Sequence, residues 1–215
     1  MAPRRWPAVA TGLLALGALA AAPAPSELPG NGADLASQAD AAATLRAADD
    51  TLRRLLGGPA ADSAGRRRAV TAQLGSLFDI DTLAARALGA HWQAMPPAER
   101  RQLVGTLRTL VERNYLSQLE GQLDYRIDYG APRSDGADVW VPTRVRGAAA
   151  GASTFAVDYR MHRDKGRWWV FDVCTEGASL VDNYRAQFSR IIAKEGTAGI
   201  LRRLAAKAAG APARP

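Results

Sequence analysis

Two pairs of carboxylates are the residues in this chain best able to do chemistry. Asp172 and Glu176 stand four apart at the end of an apolar run, and Asp79 and Asp81 flank Ile80. Carboxylates held close together can separate their proton affinities and act as acid and base. Each pair also has a plain structural use. Asp81 suits the N-cap of a helix over Thr82 to Leu88. Asp172 and Glu176 can fix the turn ahead of Ser179. The two histidines, His91 and His162, fall in no metal-ligand spacing. Alternation places His162 on the outer, charged face of a strand, and His91 adjoins Trp92 at a helix boundary. The single cysteine, Cys174, has no partner for an internal disulfide and reads as a small buried apolar residue. There is no nucleophile elbow and no phosphate loop. The sequence therefore predicts no catalytic residue, no metal and no cofactor.

The elements that must position these groups are legible in outline. Arg4 and Arg5 precede an apolar run, Val9 to Ala22, that contains the small-x-small pattern Ala18-Leu19-Ala20. Residues 1–22 have the form of a cleavable signal peptide, too short and too Ala-rich for a membrane span. Its removal lowers the formal charge from +7 to +5, since it carries two arginines and no acid. A moderately basic exported domain suits anionic lipid or an acidic partner. No dense Lys/Arg run interleaved with aromatics appears, so nucleic acid is not expected. Residues 23–33 read as a Pro/Gly/Ala linker, 34–207 as a single domain and 208–215 as a frayed tail.

Within the domain, helical periodicity covers Asp34 to Leu56 and Asp62 to Leu77, the latter carrying the solvated triplet Arg66-Arg67-Arg68. Gly57-Gly58-Pro59 separates the two. Pro96-Pro97 opens a helix to about Leu119, with an apolar stripe through Leu103, Leu107, Leu110, Val111 and Tyr115. After Gly121 the period becomes two. Four runs follow, centred on Ile127, Val141, Val157 and Phe171, with turns at Gly130–Gly136, Gly147–Gly151 and Asp164-Lys165-Gly166. Pro142 calls for a strand edge or bulge. Ser179 suits the N-cap of a last helix, which Gly196 divides in two. The prediction is an α+β domain: an antiparallel sheet of about four strands, with helices before and after it packed on one face. On that face Val141, Val145, Val157, Tyr159, Trp169, Phe171 and Val173 are expected to meet Leu107, Val111 and Tyr115. Periodicity does not distinguish a filled core from a cavity there.

The segment Glu176-Gly177-x-Ser179-Leu180-x-x-Asn183-Tyr184-Arg185-x-Gln187-Phe188 resembles the MlaC family. So do Phe78-Asp79, Leu88-Gly89-x-x-Trp92, Pro97-x-x-Arg100, Tyr115, Val157-Asp158-Tyr159 and Trp169-x-x-Asp172-Val173. The resemblance runs from about Phe78 to Leu204. Cys174 and Ala178 stand where many members carry larger branched apolar residues. The family consists of periplasmic phospholipid carriers of the Mla, or toluene-tolerance, ABC transport system. The resemblance implies a phospholipid cargo held in an apolar cavity between sheet and helices. The ten residues just named would be the tail contacts, with Arg144 and Arg160 as rim residues for the head group, although alternation puts both on the opposite strand face. It implies two docking partners, an outer-membrane lipoprotein–porin complex and an inner-membrane ABC transporter with its substrate-binding ring, and a role in outer-membrane lipid asymmetry. A monomer in the periplasm is expected. Two other readings stay open on the residues alone: a small periplasmic enzyme using Asp172 or Glu176 as a base, and a scaffold with a solid core.

Overall fold

The computed structural model describes residues 32–57, 63–119, 125–147 and 153–210. The expected signal peptide, almost all of the linker, and the Gly58-Pro59 stop lie outside them. Helix α1 spans Gly32–Leu56, so it begins two residues inside the expected linker. Its buried residues Ala41, Leu45, Ala48, Leu52 and Leu56 recur at three and four. Helix α2, Ser63–Leu77, follows.

Helix α3 covers Ile80–Leu88 and is capped by Asp79, whose carboxylate accepts the Thr82 amide at 2.9 Å and the Thr82 hydroxyl at 2.7 Å. The expected cap, Asp81, is exposed within the first turn. The difference is tertiary. The Asp79 amide donates to Val170 at 2.8 Å and Phe78 bridges Val170, so sheet pairing fixes where extended chain ends and helix begins. Gly89 ends α3 at φ 56, a conformation that disfavours side chains. The short α4, Ala90–Ala94, leads to α5, Pro97–Leu119. Arg100 ties the junction by donating to the Met95 and Gln93 carbonyls.

Among the described residues six strands form one antiparallel sheet: β1 Tyr125–Tyr129, β2 Arg133–Asp135, β3 Asp138–Gly147, β4 Thr154–Asp164, β5 Arg167–Thr175 and β6 Ala178–Ser179. Their order is β1-β3-β4-β5-β6, with β2 also paired to β3. The four expected strands are present, joined by the two short ones. Lys165-Gly166 and Glu176-Gly177 have positive φ at both residues, the type I′ geometry that matches strand twist in two-residue hairpins. Pro142 lies on β3 between the residues that pair with β1 and those that pair with β2, where its missing N–H breaks no ladder bond.

Helix α6, Leu180–Ala208, is kinked at Gly196 (φ 67), as the sequence predicts. Ser179 caps it by accepting the Asp182 amide at 3.0 Å. Buried Asp172 completes the cap, accepting the Ser179 hydroxyl at 2.7 Å and the Val181 amide at 3.0 Å. Helix α5 packs on α2, α3 and α6, whereas α1 lies along β3. The expected pairing of the α5 stripe with the sheet is thus corrected: Leu107 and Val111 are buried chiefly among helices, while α1 lies over β3 and α2, α3 and α6 meet β5.

Candidate functional site

Antiparallel partners point to the same side of a sheet, so the register sorts the expected site residues by face. Tyr125 and Tyr129 face α1: the Tyr125 hydroxyl donates to Asp49 at 3.0 Å, and the Arg46 guanidinium lies 4.3 Å from the Tyr129 ring centre. Following the pairs inward from β1 gives four rows on that face. They are Ile127–Val145–Phe155, Tyr129–Thr143–Val157–Thr175, Val141–Tyr159–Val173, and Val139–Met161–Val170.

Burial changes along these rows. Val139, Met161 and Val170 are all buried, as is Trp168 beyond them. In the next row Val141 and Val173 are buried and Tyr159 is half-buried. Thr143 alone is buried in the third row, and in the last Ile127, Val145 and Phe155 are all only half-buried, with no buried member. The face is therefore a solid core at one end and a half-open apolar surface at the other. Five of the expected tail contacts, Val141, Val145, Val157, Tyr159 and Val173, lie on it together.

Phe171 and Trp169 do not. A bulge between Arg160 and Met161 shifts the β4–β5 register. Trp169 consequently pairs with His162, and Phe171 packs edge-on to the His162 ring, between the guanidinium groups of Arg86 and Arg160. Both belong to the opposite face. The side chain of Tyr115 lies outside the described residues. Arg160 is also on that opposite face, held by Asp135 at 2.7 Å and Asp138 at 3.3 Å, and Arg144 is exposed there. The register thus separates both proposed rim residues from the apolar rows.

His162 is not simply solvated, as alternation suggested. Its Nε2 is 2.8 Å from Asp79 Oδ2. Burial pushes the Asp79 carboxyl up, but the bonds from Thr82 and His162 outweigh it and leave the group below its ordinary value. Asp172 and Glu176 are not a dyad either. Asp172 is spent on the α6 cap, while Glu176 accepts the Ala156 amide at 2.5 Å across the sheet. Burial, with help from Asp158 and Asp172, pushes the Cys174 thiol up to about 11 and leaves it a poor nucleophile. Among the described residues no three His, Cys, Asp or Glu side chains could hold a metal ion.

Next to the half-open end lies a polar cleft of about 420 Å³ between α1 and β1. Arg46, Asp49, Asp50 and Arg53 line one wall, Arg126 to Tyr129 the other. Asp49 accepts from Arg53 at 2.9 Å and from Tyr125, and Arg53 donates to the Tyr125 carbonyl at 2.7 Å. The sequence reading passed over these residues. Their signal was present: charges at 46, 49, 50 and 53 fall at helical spacing on one side of an Ala/Leu-rich helix.

Comparison with known proteins adds to this geometry. A family model described as MlaC protein matches residues 45–206. No curated protein matches the chain. A solved structure described as the phospholipid-binding protein from Ralstonia solanacearum, in complex with a phospholipid, is 25% identical in sequence. It superposes with a TM-score of 0.68, over 80% of this chain and 98% of that one.

Proposed function

The chain belongs to the MlaC family, and on that premise we propose that it is a periplasmic phospholipid carrier. The observation that carries the proposal is the sheet face that passes from closed core to half-open apolar surface within four rows of side chains. The fold is shared with a structure whose partner molecule is a phospholipid. Acyl tails would lie over the row Ile127–Val145–Phe155 and reach Val157 and Tyr159.

Two acyl chains hold about 30 methylenes, each worth about 0.8 kcal/mol when removed from water, so burial of the tails is worth roughly 24 kcal/mol gross. A carrier must offer an apolar surface about as favourable as a bilayer, or it neither takes up nor releases lipid. No covalent step is needed. In this reading the leader segment exports the chain to the periplasm. There it moves lipid between an outer-membrane lipoprotein–porin complex and an inner-membrane ABC transporter with its substrate-binding ring, as a monomer, and so maintains outer-membrane asymmetry.

Native mass spectrometry of the purified chain, followed by organic extraction, tests the reading. A phospholipid bound one to one is expected. A bare protein that also takes up no lipid from vesicles would overturn it. Val157 is the residue to mutate, because Val141 is wholly buried and an acid there attacks the fold rather than the site.

A further inference from the structure

The cleft between α1 and β1 has an inner half that is chemically satisfied and an outer half that is not. In the inner half Asp49, Arg53 and Tyr125 bond one another. In the outer half, Arg46 stacks on Tyr129 but has no ion-pair partner among the described residues, and the same holds for Asp50. The Tyr129 hydroxyl is buried and has no hydrogen-bond partner among the described residues. An orphaned donor of this kind costs stability unless a ligand satisfies it. Burial, then the nearby Asp49 charge, pushes that phenol up to about 12, so it stays a donor at any physiological pH.

Backbone groups add to the set. β1 is an edge strand, and its Tyr125 carbonyl turns to α1 rather than to β3. The amides of Ile127 and Tyr129 alternate onto that same outer side. The cleft thus gathers hydroxyl, amide and guanidinium donors next to one uncommitted carboxylate. Ile127 lines it and also begins the outermost apolar row.

We propose that this cleft is the head-group subsite of the carrier, and that it selects a zwitterionic phosphoethanolamine head group. Phosphodiester oxygens accept from the Tyr129 hydroxyl and from Arg46, and the primary ammonium donates to Asp50. A phosphoglycerol head group offers Asp50 no cation, and a quaternary choline offers it no N–H donor. The subsite rests on the carrier reading, since the tails bring the head group to the cleft.

The test is uptake by the purified full chain from vesicles of equal phosphatidylethanolamine and phosphatidylglycerol with the same acyl chains, read by mass spectrometry of extracted lipid. The wild type is expected to enrich phosphatidylethanolamine about tenfold, the worth of one charge-assisted bond. Asp50→Asn should bring the ratio to about one. Tyr129→Phe keeps the ring under Arg46, so it should fold at least as stably when empty and still carry less of both lipids. Uptake without preference, unaltered by Asp50→Asn, overturns the subsite and leaves the carrier standing. No uptake of either lipid overturns both. Water-soluble glycerophosphoethanolamine should displace no lipid at equal concentration; if it does, the cleft is a site for a free phosphodiester and the proposal falls.

Discussion

At one end of the helix-covered sheet face Val139, Met161 and Val170 are all buried; at the other Ile127, Val145 and Phe155 are all only half-buried. The strands run continuously from one end to the other, and their alternation does not change. What changes is what holds the helices down. At the closed end Phe78 and Asp79 are bonded through their backbone to Val170. At the open end the contact with α1 runs through long polar side chains, Arg53 and Asp49 to Tyr125. Short backbone bonds exclude everything from the space they close. Long side chains can span a gap and leave apolar surface for a ligand.

The sharpest break of that comparison is one substitution made at both ends. Val141→Asp puts a carboxylate without a partner into a fully buried position, at about 3–5 kcal/mol, a large fraction of a domain's stability. Loss of the cooperative thermal transition is expected. Val157→Asp, at a half-buried site, should keep its transition and lose bound lipid. A Val157→Asp protein that retains a full lipid load would show that the open end is not the tail site.

Anchoring at the closed side can be weakened without touching the apolar rows. Asp172→Ala leaves the Ser179 hydroxyl and the Val181 amide without their acceptor. The cost should be about 1–3 kcal/mol, read as a lower urea midpoint. Lipid content in the folded fraction should stay unchanged. A catalytic base at Asp172 would instead leave stability nearly intact.

Acid probes the Asp79–His162 link more gently. Because the folded Asp79 carboxyl titrates below its unfolded value, its contribution is complete above the ordinary carboxylate pKa of about 3.9 and is lost as pH falls through the depressed folded value. Asp79→Asn should flatten the fall in melting temperature below about pH 4 relative to wild type. Parallel curves would remove Asp79 from the anchor.

Much of this architecture can be read before the structure is seen, and the parts that cannot have identifiable causes. The β3 and β4 alternation, the Ser179 cap and the Gly196 break are local patterns, and local patterns survive folding. β5 is apolar at both parities from Trp168 through Phe171, so that stretch carries no phase; only pairing with β4 reveals the bulge that turns Trp169 and Phe171 away. Asp79 and Asp81 are equivalent caps by composition, and a distant strand chooses between them. The α5 stripe is real, but amphipathicity names a buried face without naming its neighbour. The cleft was missed because its charges on α1 and its tyrosines on β1 are more than seventy residues apart, and each set alone looks like a solvated surface.

The smallest effect belongs to the other side of the sheet. Arg144 pairs with Asp128 and Ala156 on the face turned away from α1, and it is exposed. The family resemblance alone would place it at a head-group rim, but parity puts the thickness of the sheet between it and the apolar rows. Arg144→Ala should therefore change stability by less than about 0.5 kcal/mol and leave both lipid load and head-group ratio at wild-type values. A lower load with an unchanged melting temperature would mean that lipid reaches across the sheet edge. The division between a carrying face and the face turned away from α1 would then be wrong, however well the two ends of the carrying face behaved.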